Sequence, residues 1–105
     1  MPTATYAGRD VVVTEDGFFA DPEQWTEEMA PELARAEGID ALTEDHWRVV
    51  KFMRREYEEK GAGPTVRVLG KTSGVPIKQL YLLFPKGPAK VAAKIAGIPK
   101  PHGCI

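Results

Sequence analysis

The chain has 105 residues, a formal net charge of −1 and an apolar fraction of 43%. This length allows one domain, spanning residues 1–105, and the composition is that of a globular protein. The longest apolar runs, such as Val11–Val13, fall far short of the roughly 20 residues that span a bilayer, so no membrane partner is predicted. A single cysteine excludes an internal disulfide, and the N-terminus lacks a signal-peptide pattern, so a cytoplasmic location is expected.

The charges are divided unevenly along the sequence. Residues 1–60 carry all 15 acidic side chains and half of the 14 basic ones, whereas residues 61–105 carry the other basic side chains and no acid. This asymmetry predicts that the C-terminal part meets an anion, an acidic partner or nucleic acid. Alternatively, the two parts fold against each other and their charges mix at the surface.

The first sixty residues predict a hairpin followed by helices. The β-branched run Val11–Val13, the turn at Glu15–Gly17 and the apolar pair after it predict a hairpin over residues 6–20. A capping box at Asp21–Gln24 predicts a helix start, and Pro31 predicts either a kink or a second start.

The clearest helix is predicted from an N-cap at Thr43 to Lys60. His46 lies in its first turn, where a lone histidine is usually a surface or capping group. His46, His102 and one cysteine fit no zinc site, so neither a metal nor a cofactor is predicted.

Three short helices are predicted in the C-terminal part, over residues 64–70, 76–84 and 88–96. The inward side chains expected from the second of these are Ile77, Leu80, Tyr81 and Phe84. The predicted fold class is mainly α: a small orthogonal helical bundle with an N-terminal β-hairpin and an extended C-terminal arm over residues 97–105.

The predicted arm ends in the only cysteine, Cys104, the last residue but one. Pro99 and Pro101 stiffen the arm, and Gly103 frees the residue before the thiol. The basic side chains predicted around it are Lys86, Lys90 and Lys94, spaced four apart on one face of the last helix, and Lys100. Nearby cations stabilise a thiolate, so Cys104 is a candidate nucleophile for exchange with another molecule. The alternative is an incidental cysteine tucked under the domain.

The tail resembles the C-terminal signature of the DsrC/TusE sulfur-relay family in the runs Gly87–Lys90 and Pro99–Cys104. The similarity continues through most of the chain. The matching positions include Asp16–Phe18, Trp25, Glu37–Ile39, Leu42–Trp47, Arg54, Tyr57, Arg67–Leu69, Lys71 and Tyr81–Pro85.

The resemblance implies a penultimate cysteine that accepts sulfur as a persulfide and relays it, with Lys100, Pro101 and Gly103 as arm residues. It implies an upstream persulfide-donor sulfurtransferase and a downstream acceptor, either a tRNA thiouridylase making 2-thiouridine or a sulfur-metabolism enzyme. Family members that serve dissimilatory sulfite reductase carry a second cysteine where this chain has Ala93. A single-cysteine carrier of the TusE type is therefore the nearer comparison.

A second departure from the family is the shorter connection between Lys71 and Leu80. Two alternatives to a tRNA-directed relay remain at this point. One is a carrier or effector subunit in sulfite reduction or sulfur oxidation. The other is a helix-turn-helix DNA-binding regulator built from residues 64–84, although only Lys78 and Gln79 could read bases. In the carrier models, contact with nucleic acid is indirect or weak.

Overall fold

A computed structural model describes residues 2–101. The elements in chain order are β1 (Thr3–Tyr6), β2 (Arg9–Val12), two short 3-10 turns (Pro22–Gln24 and Glu27–Met29), α1 (Ala30–Ala36), α2 (Glu44–Lys60), α3 (Val66–Thr72), α4 (Ile77–Leu83) and α5 (Pro88–Ile95). The mainly helical class with an N-terminal hairpin is confirmed. No helix among these residues is long and apolar enough to cross a bilayer.

The hairpin lies earlier than predicted. β1 and β2 pair antiparallel, with Thr3 opposite Val12 and Tyr6 opposite Arg9. The turn at Ala7 and Gly8 has φ values of 51° and 76°, which suits a tight two-residue hairpin. The predicted turn at 15–17 also exists, but a single bridge between Val13 and Phe19 closes it. The prediction over residues 6–20 was therefore right about the turn at 15–17 but missed the earlier and longer hairpin, because an Ala-Gly pair is a weaker turn signal than the acidic loop.

The last helix, α5, lies at the centre of the bundle and packs against all four other α-helices. Its buried side chains include Ala89, Ala92 and Ala93, whose small size lets neighbouring helices approach closely. The helix starts at Pro88, so Lys86 lies outside it. The sequence predicted that α5 presents a basic face, but most of its residues are buried in the core.

The helix α2 begins and ends where its caps predict. The Thr43 hydroxyl accepts from the His46 backbone, and Gly61 ends the helix with φ +74°. At Pro31 the second predicted alternative holds, because α1 begins at Ala30 with the proline in its first turn. At Asp21 the box is incomplete: the aspartate caps a 3-10 turn, while the Gln24 side chain accepts from Val12 N at 2.8 Å.

His46 is buried, with only 6% of its surface exposed, and it joins two helices. Its Nδ1 accepts from the Thr43 backbone N–H at 3.0 Å, which leaves the ring proton on Nε2. That N–H donates to the Leu83 carbonyl oxygen at 2.9 Å, at the end of α4. The ring also meets Phe84 edge-on at 5.1 Å. The capping role was anticipated, but the link to α4 was not.

Replacing His46 with alanine is expected to lower the free energy of unfolding by about 2–3 kcal/mol, since it opens a cavity and leaves the Leu83 oxygen without its donor. Glutamine is common at this position of a capping box, so His46→Gln keeps the cap and loses about 1 kcal/mol. Urea unfolding of both variants measures the difference. Equal stability of wild type and His46→Ala would contradict the bridging role.

Two of the side chains predicted to face inward from α4 face outward instead. Leu80, Leu83 and Phe84 are buried, whereas Ile77 and Tyr81 are nearly half exposed. The helix is rotated so that its C-terminal residues pack on His46. The expectation that Ile77 and Tyr81 face inward was wrong, because a seven-residue helix fits more than one inward stripe.

Candidate functional site: the base of the C-terminal arm

The predicted arm can be followed from Gly97 to Pro101. His102, Gly103, Cys104 and Ile105 lie outside the described residues. The site is therefore described by what holds the chain as it leaves α5.

The turn after α5 depends on Gly97. This residue has φ +67°, in the left-handed region that ends many helices. A β-carbon there would lie 2.5 Å from Cγ of Trp25, far inside van der Waals contact. Both the backbone conformation and the space therefore require glycine at this position.

Two side chains from distant parts of the sequence bind the end of α5. The Trp25 indole N–H donates to the Ile95 carbonyl oxygen at 2.9 Å, and Arg54 Nη1 donates to the Ala96 oxygen at 2.7 Å. Helix C-termini leave such carbonyls without partners and carry partial negative charge, so a cationic donor is favourable there. Together the two residues fix where the arm begins.

Arg54 also joins this helix end to the N-terminal part. Its Nη2 donates to the Pro22 carbonyl oxygen at 3.1 Å, and its guanidinium carbon lies 4.3 Å from the centre of the Trp25 ring. Burial lowers the pKa of Arg54, while the nearby Glu58 opposes that shift. Arginine keeps its charge under such a shift, so the cation–π contact and both hydrogen bonds persist.

The first residues of the arm pack on the domain. Ile98 is fully buried, and Pro101 is buried as well. A β-carbon at Gly63 would lie 2.9 Å from Ile98 Cδ1 and 3.3 Å from Pro101 Cγ, so this glycine admits both side chains. The described part of the predicted arm is thus anchored rather than extended into solvent.

A cavity of about 470 Å³ opens beside this anchored segment. It is lined by Pro22, Glu23, Arg54, Tyr57, Glu58, Gly61 and Ile98. The lining combines apolar side chains with charged side chains of both signs.

The predicted basic residues separate into two groups. Lys94 lies 3.5 Å from the Glu37 carboxylate and 5.1 Å from the centre of the Phe18 ring, while Lys100 lies 3.7 Å from Asp16. Lys86 and Lys90 are exposed. Both ion pairs join the basic C-terminal part to the acidic N-terminal part, so near the arm the charges of the two parts do mix.

Ala93 is completely buried in α5, and its carbonyl oxygen accepts from Ile98 N at 3.1 Å. The position at which some resembling proteins carry a second cysteine therefore lies under the start of the arm. In this chain it presents only a methyl group.

Residues 5–105 match the family model described as "DsrC like protein", and the chain therefore belongs to the DsrC-like family. It is 46% identical to a sulfurtransferase TusE from Pectobacterium atrosepticum, over 95% of this chain and 97% of that protein. It is 40% identical to the dissimilatory-type sulfite reductase subunit gamma of Nitratidesulfovibrio vulgaris, over the whole of both chains.

Solved structures agree with this assignment. A crystal structure of dissimilatory sulfite reductase I (DsrI) contains a chain that superposes with a TM-score of 0.88 at 39% identity, covering 99% of this chain and 100% of that one. The NMR structure of Allochromatium vinosum DsrC gives 0.81 at 39% identity, covering 98% and 97%. The fold is shared along almost the whole chain.

Sequence reasoning did not find the residues that anchor the arm. Trp25 and Arg54 were noted as positions that resemble the family, and Gly63 was given no role. No local pattern marks them, because the backbone carbonyls that Trp25 and Arg54 bind lie 70 and 42 positions away in the sequence.

Proposed function

We propose that this protein is a sulfur carrier that accepts sulfur as a persulfide on Cys104 and passes it to a partner protein. The observation that carries the proposal is the anchored arm base, placed directly before the only cysteine of a DsrC-like chain. Relatives named as a sulfurtransferase and as a sulfite reductase subunit support sulfur-transfer partners.

The proposed step is redox-neutral. The Cys104 thiolate attacks the terminal sulfur of a donor cysteine persulfide, and the donor S–S bond breaks with its electron pair leaving on the donor thiolate. A new S–S bond now joins Cys104 to the transferred sulfur. Transfer to the acceptor repeats the exchange in the opposite sense and restores the Cys104 thiolate.

The lack of an internal partner defines the kind of carrier. The chain contains one cysteine, and Ala93 stands where two-cysteine members have the other. An intramolecular disulfide or trisulfide therefore cannot form, and each transfer must be completed on a second protein.

The anchored base also limits reach. From Pro101 to Cys104 an extended chain spans at most about 11 Å, at roughly 3.3–3.6 Å per residue. The partner's thiol must therefore come close to the domain surface unless the packing of Ile98 and Pro101 on Gly63 is released. Because so few residues follow the anchored base, a partner needs to dock on the body of the domain.

Intact-mass spectrometry tests acceptance of sulfur. Incubation with a persulfide-loaded cysteine desulfurase is expected to add one sulfur, about 32 Da, to the wild type, and a reducing agent should remove it. Cys104→Ser is expected to show no addition. An unmodified wild type alongside a donor that stays loaded would refute the proposed carrier.

Two acceptor classes are supported by different observations. The single cysteine favours a relay toward a tRNA-thiolating enzyme, as in the TusE comparison. The end-to-end alignment with the sulfite reductase gamma subunit favours an acceptor in sulfur metabolism instead. Deleting the gene in its host and measuring 2-thiouridine in tRNA separates the two acceptor classes. Loss of 2-thiouridine that wild type restores and Cys104→Ser does not would support the tRNA-thiolating acceptor. Unchanged 2-thiouridine would support the acceptor in sulfur metabolism.

The DNA-binding alternative is not favoured by the geometry. α3 and α4 do form a helix pair around a turn at Ser73 and Gly74. The outer face of α4, which would enter a groove, carries Ile77, Tyr81 and Leu82, and its one cation is Lys78. Gln79, the other candidate for reading bases, is only partly exposed.

A further inference from the structure

One short helix carries a concentrated apolar surface. Within residues 2–101 the large exposed hydrophobic side chains are Ile77 (47% exposed), Tyr81 (46%) and Leu82 (72%), and all three lie on α4. Ile77 and Tyr81 lie one turn apart, and Leu82 lies about 100° further around the helix, so all three fall within about 140° of its circumference. A clustered apolar patch marks an interaction site more often than isolated exposed residues do.

The patch belongs to a defined part of the fold. The buried face of α4, formed by Leu80 and Leu83, already packs on the core. On the α3 side, a β-carbon at Gly70 would lie 3.1 Å from Ile77 Cβ, which shows how closely the two helices approach. The patch therefore faces solvent, and packing against the core and α3 fixes the orientation of the helix that carries it.

Exposed lysines lie on α4 itself and on the chain segments next to it. Lys78 lies one turn before Leu82 on the same side of α4 and is exposed, and so are Lys71 on α3 and Lys86 just after α4. The ion pairs found within residues 2–101 involve Arg48, Lys60, Lys94 and Lys100. None of them reaches these three lysines, and residues 61–105 contain no carboxylate side chain.

We infer that the outer face of α4, defined as Ile77, Lys78, Tyr81 and Leu82, is a docking surface for a partner protein that presents aliphatic side chains within an acidic rim. Apolar contact supplies the centre of such an interface, and the exposed lysines select acidic surroundings and speed association. A nucleic acid would match the lysines but would leave Leu82 and Ile77 against a polar groove.

This surface is separate from the arm chemistry. It requires no sulfur on Cys104, so Cys104→Ser is expected to dock with unchanged affinity. A failure of docking and a failure of persulfide transfer are therefore distinguishable with the same set of variants.

The test uses a displayed library of random linear peptides selected against the full-length wild-type protein. Enriched peptides are expected to combine Leu, Ile or Phe with Asp and Glu, and their affinity should fall as salt is added. Purified peptides are then titrated by fluorescence anisotropy. Leu82→Ser is expected to weaken binding about tenfold or more, since it removes most of one buried leucine contact.

The charge variants form a matched pair. Lys78→Glu is expected to weaken peptide binding, whereas Lys51→Glu, an equal charge change at an exposed position on α2, should leave it within about twofold. Circular dichroism and thermal unfolding confirm that each variant is folded. Leu82 is 72% exposed, so its substitution should not unfold the domain.

Several outcomes would overturn the inference. One is enrichment of basic peptides, and another is a library that yields no peptide able to distinguish Leu82→Ser from wild type. A third is binding of a random-sequence DNA duplex that Leu82→Ser and Lys78→Glu abolish, which would assign the face to nucleic acid. A fourth is a wild-type dimer in sedimentation that Leu82→Ser dissociates, which would assign it to a second copy of the chain.

Discussion

Gly97→Ala is expected to destabilise the domain by about 3–5 kcal/mol, a severe effect for the addition of one methyl group. The left-handed backbone conformation alone costs an alanine about 1 kcal/mol. The larger part comes from Trp25, whose Cγ would lie 2.5 Å from the new β-carbon. The indole must then move, and its hydrogen bond to the Ile95 oxygen is lost.

Gly61→Ala separates these two contributions. Gly61 has a similar φ of +74°, but a β-carbon there meets nothing within 4 Å. This control is expected to lose only about 1 kcal/mol in urea or thermal unfolding. If Gly97→Ala and Gly61→Ala were equally stable, the close packing of Trp25 on the arm base would be contradicted.

Arg54→Met is expected to destabilise the domain by about 2–4 kcal/mol. Methionine keeps an apolar stem but cannot donate to the Ala96 and Pro22 oxygens, of which the first belongs to a fully buried residue. An unsatisfied buried carbonyl costs about 1–3 kcal/mol, and the cation–π contact with Trp25 adds to the loss. Chemical unfolding at neutral pH measures the difference.

Arg55→Met is the matched control for this substitution. Arg55 is exposed, and its guanidinium carbon lies 5.8 Å from the centre of the Phe52 ring. A change of about 1 kcal/mol or less is expected. A similar loss in both variants would mean that Arg54 contributes only as a surface residue and does not hold the end of α5.

The sequence predicted the structure well where the residues that determine an element lie next to it in the chain. The helix α2 was predicted almost residue for residue because its stop and start are encoded by Thr43 and Gly61, next to the residues that they cap. Both turns near the N-terminus form, and the hairpin of β1 and β2 was missed because Ala7 and Gly8 are a weak local turn signal. Their positive φ values are seen only in the folded chain.

Tertiary choices could not be predicted in the same way. In α4, the pair Ile77 and Tyr81 and the pair Leu80 and Leu83 could each have formed the buried face of the helix. Leu80 and Leu83 are the buried pair in the structure, where His46 packs against the end of the helix. The same holds for the arm base. No local sequence pattern predicts that an arginine in α2 donates to a carbonyl oxygen at the end of α5.

The charge asymmetry illustrates both limits. Near the arm, Lys94 and Lys100 are paired with Glu37 and Asp16, which matches the alternative of charge mixing. Around α4 the lysines have no carboxylate partner among the described residues, which matches a surface for an acidic partner. Charge mixing and an exposed basic surface therefore both occur, on different faces of the domain.

The most direct test of a sulfur carrier is to find the sulfur on the protein as it works in its own cells. Wild type and Cys104→Ser, each expressed in place of the native copy, are isolated with a thiol-trapping reagent and digested, and the C-terminal peptide is sequenced by mass spectrometry. One additional sulfur on Cys104 is predicted for the wild type, lost when the upstream persulfide donor is deleted and increased when the acceptor is deleted. A Cys104 that carries no additional sulfur in any of these strains would contradict the account.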